Sequence, residues 1–394
     1  MNAFDYDLPE NAIATYPLEN PEDAKFLSYI HDTVKTHNIL NLIDVLPAHT
    51  CFIGNNSKVI PARIVGFSIQ KKALELFIIE LLEERREHQT AICHCMVGGI
   101  RNWPPHHTLN VTNDQITLSA TFIERHPKEG VLIQFQWTSQ LSISWYEVLE
   151  QFGTTPIPPY LNRPAEPVDA LRYQTVYATH KGSVAAPTAG LHFTSNHIAD
   201  LIRNGFKFEY LTLHVGPGTF KPVKAAHWKD HVMHEEYVEI SKSCVEFLCA
   251  NPASTICAIG TTSLRTLESF YWIAVKILKN NNHAEPLFLE QDFPETQNWK
   301  APENFNPWQV LLKWMHANQK QNINARTALM IHPQYKIQSV GYLWTNFHQP
   351  RSTLLMLVEA CIGPVWKSLY MYALNHNFRF LSYGDACLFE IKRR

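Results

Sequence analysis

Residues 181–223 read KGSVAAPTAGLHFTSNHIADLIRNGFKFEYLTLHVGPGTFKPV, and the reading of this stretch decides the fold. Two turn-rich clusters, 182–190 and 216–222, bracket one helical pattern and one strand. Residues 188–203 set Leu191, Ile198, Leu201 and Ile202 at helical spacing, and Gly205 stands where a C-cap glycine belongs. Residues 206–213 alternate for most of their length, the pattern of a strand with one buried face. Loop, helix, strand, loop is the order of an α/β protein, whose ligands sit at strand ends and helix N-termini. His192 and His214 fall beside the two loops. A tight turn with incidental histidines fits the same residues, so local physics leaves both readings open.

Composition narrows the class. A chain of 394 residues buries a substantial core, and two domains are the natural expectation. It is 45% hydrophobic and 18% charged, and a formal net charge of −2 excludes reading nucleic-acid binding from bulk charge. An RNA partner would need a local basic patch. Asp5, Asp7, Pro9 and Glu10 stand where a signal peptide needs an apolar core, and the best apolar run, 354–365, is broken by Glu359 and Pro364. The expectation is a cytoplasmic protein with no membrane partner. Eight cysteines without a secretion signal read as reduced thiols. Cys93-His94-Cys95, near His106 and His107, invites a metal reading, but Cys93 and Cys95 share a strand face with Ala91, as buried small residues do. No metal is expected.

Working outward, residues 1–60 open an α/β unit. Segments 62–67, 73–82, 90–97, 115–122 and 130–135 then read as short strands without intervening helices, a small barrel or sandwich. The mixed-charge run 83–88 reads as a solvated hairpin tip. A helix at 145–152 ends at Gly153, and Asp169 is placed to cap the helix carrying Arg172, Tyr173 and Tyr177. Arg163, Arg172 and Lys181 are the basic side chains nearest the central loop. Three histidines and three carboxylates crowd 227–236, with His231 and His234 spaced for one helical face. Strand 255–259 runs into Gly260-Thr261-Thr262-Ser263 and helix 264–278, a turn that offers backbone N–H groups to an anion but lacks a Walker lysine. Arg265 and Glu268 are spaced to pair with each other. Strands at 328–331 and 337–343, helices at 308–317, 351–361 and 365–375, and a closing strand at 386–391 complete the chain.

SVAAPTAGLHFT followed by LHVGPGTFKPV resembles the tRNA ribosyltransferase-isomerase family of queuosine biosynthesis. Further matches are Val59-Ile60-Pro61-Ala62-Arg63, Arg172-Tyr173-Gln174-Thr175-Val176-Tyr177, His231-Val232-Met233-His234, the run GTTSLRTLES at 260–269, Thr345-Asn346-Phe347-His348 and the run RFLSYGDA at 379–386. They stand in the family's order across almost the whole chain. The resemblance implies an α/β fold: a larger α/β catalytic domain of 1–62 and 142–394 with an inserted small β-barrel domain of 63–141. It also implies that the ribosyl moiety of S-adenosylmethionine is transferred to a 7-aminomethyl-7-deazaguanine base at the tRNA wobble position and isomerised, giving epoxyqueuosine. S-adenosylmethionine is then a co-substrate, with no cofactor, tRNA is the partner, and a monomer is expected rather than an oligomer.

A sulfonium acidifies its neighbouring carbon, and adenine departs better when protonated, so the reaction asks for a base and an acid. The catalytic candidates are His192, His214, His234, Glu236, His348 and Asp385. Gly182, Ser183, Thr188, Gly190, Gly216, Gly218 and Thr219 are candidates for close backbone approach to substrate. Thr261, Thr262, Arg265, Asn346, Ser352 and Thr353 are candidates for polar contacts. The chain departs from the family's pattern at 21–25 and 55–58, where arginines and an aspartate are replaced, at Glu235, and at 339–344, where an aspartate is missing. It is also longer at 280–325. These departures motivate two alternatives: a diverged paralogue using S-adenosylmethionine on another acceptor, and a non-catalytic RNA-binding protein.

Overall fold

The computed structural model describes residues 2–69, 72–126, 129–216, 228–280, 287–297, 299–302 and 304–392. The chain divides into two compact units, one of Met1–Ser57, Thr175–His180 and Pro187–Arg394, the other of Lys58–Gln174 and Lys181–Ala186.

Among the described residues the first unit is built on a ten-stranded mixed sheet. Its centre is four parallel strands in the spatial order Lys207–Leu213, Cys51–Asn55, Ile256–Ile259 and Tyr342–Asn346. The last three are buried throughout, as expected of parallel strands covered on both faces. Glu236–Ser241 and Asn322–Thr327 extend the sheet antiparallel on one side, with Leu287–Leu289 beyond them. Ala386–Glu390, Lys25–Ile30 and Thr33–Asn38 extend it on the other. The 21-residue helix Gly260–Asn280 packs along the four parallel strands.

Several expected elements shift. The helix expected at 188–203 is a 3₁₀ segment, Thr188–His192, followed by the helix Ser195–Arg203. The break falls where Thr194 Oγ1 accepts the His197 N–H at 3.0 Å, a side-chain cap that starts a new helix. Gly205 follows at φ +87°, in the left-handed region that a C-cap glycine supplies. No helix carries His231 and His234: Trp228–Asp230 is a 3₁₀ turn, 231–235 is irregular, and the Glu236–Ser241 strand begins at once. The strands expected at 328–331 and 337–343 reduce to Tyr342–Asn346, with Asn322–Thr327 ahead of them. The buried Glu268 carboxylate accepts the Gln338 N–H at 3.0 Å and the Ser339 N–H at 2.8 Å, which removes those donors from any ladder.

The second unit carries a seven-stranded antiparallel sheet, ordered Thr108–Thr112, Thr117–Arg125, Val131–Thr138, Thr90–Gly98, Glu75–Arg85, Arg63–Ile64, Gly153–Thr154. Four of its strands lengthen the expected ones, 62–67 contracts to two residues, and Thr108–Thr112, whose Thr-Leu-Asn-Val-Thr alternates, is an added strand. No described pairing joins the first strand of this order to the last. The unit also exceeds the expected insert of 63–141. Ser144 and Glu147 form a capping box that starts the helix Trp145–Phe152, whose Trp145, Val148 and Leu149 complete the core beside Phe135 and Trp137. Cys93 and Cys95 are buried on one strand face with Ala91, while the opposite-facing His94 reaches the Glu129 carbonyl at 2.5 Å and stacks on His126.

Asp169 is not the cap of its helix but the third residue of Pro167–Arg172. Its carboxylate accepts the Glu166 N–H at 2.8 Å and both terminal nitrogens of Arg163 at 2.7 Å. Arg163 is thereby committed to Asp169, and Lys181 to Glu150 at 2.8 Å. Among the described residues no single helix is long and apolar enough to cross a membrane.

Candidate functional site

The four parallel strands of the first unit end at Asn55, Leu213, Ile259 and Asn346, and the polar candidates gather at those ends. Asn346 closes the last strand. Its Oδ1 accepts from Thr188 Oγ1 at 3.0 Å, and its Nδ2 lies 3.2 Å from His192 Nε2. One amide therefore ties both ends of the Thr188–His192 turn. Trp344, two residues back on the strand, donates its indole N–H to the Ala189 carbonyl at 2.9 Å and meets the His192 ring edge-on. Gly190 sits inside this turn against Tyr177 and Thr175, where a Cβ would strike the Tyr177 hydroxyl and come within 2.7 Å of the Thr175 methyl. Gly190 is a packing glycine.

The helix Gly260–Asn280 starts beside this corner. Gly260, at φ +90°, turns the chain from the Ile256–Ile259 strand directly into the helix, so Thr261 and Thr262 lie in its first turn rather than in a separate loop. A Cβ on Gly260 would stand 3.5 Å from the Ala189 Cβ, which measures how near the helix N-terminus comes to the 188–192 turn. First-turn N–H groups and the helix dipole favour an anionic ligand at such a place.

A second cluster lies one helical turn further. Arg265 donates to the Leu329 carbonyl at 2.9 Å, to the His234 carbonyl at 3.3 Å, and pairs with the Glu236 carboxylate. The expected Arg265–Glu268 pair does not form. Glu268 is fully buried and accepts instead from Tyr335 Oη at 2.6 Å and from the 338–339 backbone. His214 adjoins this cluster, its N–H donating to the Tyr237 carbonyl at 3.1 Å and its ring stacking on Tyr237. His234 is exposed, whereas Glu236 is largely covered by its pairing.

Two catalytic candidates lie elsewhere and read as framework. His348 Nε2 stands 2.9 Å from Thr345 Oγ1, its N–H donates to Tyr370 Oη and its carbonyl accepts from Tyr6 Oη. Asp385 accepts the backbone N–H groups of Lys25 and Arg379, pinning a neighbouring strand to its own loop. Ser352 bonds the Gln349 carbonyl ahead of the helix Thr353–Ile362, of which Thr353 is the first residue. Gly182 and Ser183 belong to the second unit, where Ser183 Oγ donates to the Ala185 carbonyl. A Cβ on Gly216 would meet no described atom within 4 Å, while Gly218 and Thr219 lie outside the described residues.

Burial sets the protonation of the histidines. Burial, with the Arg379 guanidinium nearby, holds His192 down to about 4. Burial and His180 hold His214 to about 4, and burial alone holds His348 to about 3. All three are neutral imidazoles near pH 7. Asp385 is raised by burial, opposed by its two N–H donors.

Sequence reasoning passed over Tyr237, and it noted Asn55 only as part of the departure at 55–58. Asn55 is fully buried, and its side chain exchanges two hydrogen bonds with the Leu213 backbone, at 2.9 and 3.0 Å, holding two strand ends together. The available signal was an asparagine closing the apolar run Cys51-Phe52-Ile53-Gly54.

A mixed-sheet α/β protein with polar side chains, neutral histidines and a helix N-terminus collected at the carboxyl ends of its parallel strands is of a ligand-binding class. The family model described as queuosine biosynthesis protein matches residues 1–389. The chain belongs to that family. It is 34% identical over 394 residues to a protein of Dichelobacter nodosus (strain VCS1703A) named S-adenosylmethionine:tRNA ribosyltransferase-isomerase, covering 97% of this chain and 94% of that one. It is also similar, at 24% identity and a TM-score of 0.46, to a crystal structure of S-adenosylmethionine tRNA ribosyltransferase from Thermotoga maritima, covering 98% of this chain and 99% of the other.

Proposed function

We infer that this chain is an S-adenosylmethionine:tRNA ribosyltransferase-isomerase. It joins the ribosyl carbons of the donor to the aminomethyl nitrogen of a 7-deazaguanine base in tRNA, releases adenine and methionine, and yields epoxyqueuosine. The observation that carries this is the match of 34% to a protein of that name over nearly the full length of both chains, within a family match spanning 1–389. The diverged-paralogue and scaffold readings are not favoured. S-adenosylmethionine is consumed as a co-substrate with no cofactor, in the cytoplasm, by a monomer. The second unit would then be the family's inserted β domain, its sheet unpaired between first and last strands among the described residues.

In this reading the strand-end corner holds the donor. The first turn of Gly260–Asn280 receives the methionine carboxylate, an anion against free N–H groups. His192, neutral and accepting from Asn346 Nδ2 at its Nε2, keeps its Nδ1–H to donate to the ribose or adenine rather than meeting the sulfonium with a like charge. His234, exposed and held through its own carbonyl, exchanges protons, and Glu236 fixes Arg265 beside it. Proton transfer at such a group contributes typically about 10²–10⁴-fold. The decisive measurement is adenine release from S-adenosylmethionine with and without tRNA carrying the 7-aminomethyl-7-deazaguanine base, with mass spectrometry of the digested tRNA. Release that requires that tRNA, with a matching mass gain on the base, is the expected result. Donor binding without release would return the paralogue reading.

A further inference from the structure

The run 228–236 carries His231, His234 and Glu236, yet little apolar burial holds it: Val232 is 79% exposed, and Asp230, His234 and Glu235 are exposed as well. Residues 231–235 have no regular secondary structure, so their backbone groups need partners from elsewhere. Three sets of contacts supply them. At one end the Trp228 ring stacks on His332, centroids 4.2 Å apart, and His332 Nε2 stands 2.5 Å from Glu295 Oε1. At the other end Arg265 takes the His234 carbonyl and the Glu236 carboxylate. Between them stands Gln291. Its Oε1 accepts the Met233 N–H at 2.8 Å, and its Nε2 donates to the His231 carbonyl at 2.8 Å.

We propose that Gln291 is a positioning residue for the reaction, its carboxamide standing in for the missing neighbour strand and setting the presentation of His234. The proposal rests on the reading of His234 and Glu236 as site residues. One planar amide offers a donor and an acceptor together, as a peptide group does, and it meets alternate residues of the run as a strand partner would. Gln291 is itself anchored, since its own carbonyl accepts the Met330 N–H at 3.2 Å. Gln291 directly, and Glu295 through His332 and Trp228, brace an exposed, chemically loaded run from outside.

The test compares full-length wild type with Gln291→Leu and Gln291→Glu. The leucine removes both bonds, while the glutamate keeps an acceptor for Met233 and loses the donor to His231. Three readouts are needed: kcat and KM for S-adenosylmethionine in tRNA-dependent adenine release, amide hydrogen exchange at Met233, and Tm. The expectation for Gln291→Leu is faster exchange at Met233 and kcat lower by about tenfold to a hundredfold, the scale of a misplaced catalytic group. KM should move far less and Tm hardly at all, with Gln291→Glu recovering part of kcat. Wild-type kcat despite accelerated Met233 exchange would overturn the proposal. So would a loss of kcat matched by a fall in Tm and faster exchange throughout the unit, the mark of a merely structural residue. If wild type itself released no adenine, the functional reading would have failed instead, and Met233 exchange alone would judge the clamp.

Discussion

Two buried histidines flank the same strand end and behave differently. His192 reaches Asn346 from a turn that enters from another part of the chain, and its neighbours are Thr188, Trp344 and the start of the Gly260–Asn280 helix. His348 follows the strand by two residues and is bonded to Thr345, Tyr370 and Tyr6, all of them framework. Both lie in runs shared with the family and both are neutral. What each side chain touches separates the two.

The largest expected effect is on stability in acid and involves both histidines. Their folded pKa values, with that of His214, lie below the unfolded value of 6.5. Their stabilising contribution is complete above about pH 6.5 and is lost as pH falls through that value toward the folded values of about 3 to 4, because the unfolded chain binds the protons first. At pH 5 each group has lost about 2 kcal/mol, or roughly 6 kcal/mol for the three. Urea unfolding of wild type and His348→Asn at pH 7.5 and pH 5.0 measures one share. The stability gap between them should shrink by about 2 kcal/mol in acid. An unchanged gap would mean that His348 does not carry the buried neutral state assigned to it.

Next is Asn346→Ala, which cuts both of the Asn346 bonds to the Thr188–His192 turn. Turnover in adenine release should fall about a hundredfold, equivalent to about 2.7 kcal/mol of transition-state stabilisation. His348→Asn should instead cost about 1–3 kcal/mol of stability, with the folded fraction turning over within about threefold of wild type. Equal losses of turnover in the two variants at equal folded fraction would erase the distinction between corner and framework.

What could be read in the chain follows the range of the interactions. Gly205 and the 145–152 helix were legible because a cap and a spacing are local facts. The strand that ends just before His214 was legible in 181–223 for the same reason. The Arg265–Glu236 pair, the burial of Glu268 under Tyr335 and the irregular path of His231–His234 were not legible, since each is decided by partners tens of residues away. Spacing alone favoured Arg265 with Glu268 and a helical His231–His234 face. Tertiary contacts overrode both.

The smallest effect sharpens the claim that Gly190 serves packing beneath the corner. A Cβ there would collide with the Tyr177 hydroxyl, approach the Thr175 methyl to 2.7 Å and stand 3.1 Å from the Tyr177 ring carbon that bears the hydroxyl. Gly190→Ala should cost about 1–3 kcal/mol, since an added methyl must displace a packed side chain. Tyr177→Phe removes the hydroxyl, which is buried without a hydrogen-bond partner among the described residues, and should be nearly neutral alone. In the double variant the worst collision is gone while the Thr175 and ring contacts remain, so rescue should be partial, with a coupling of about 0.5–1.5 kcal/mol. Additive losses would mean that the turn shifts as a body instead of pressing on Tyr177. In that event Asn346, which ties the turn from its other side, should lose its effect on turnover in the Gly190→Ala background.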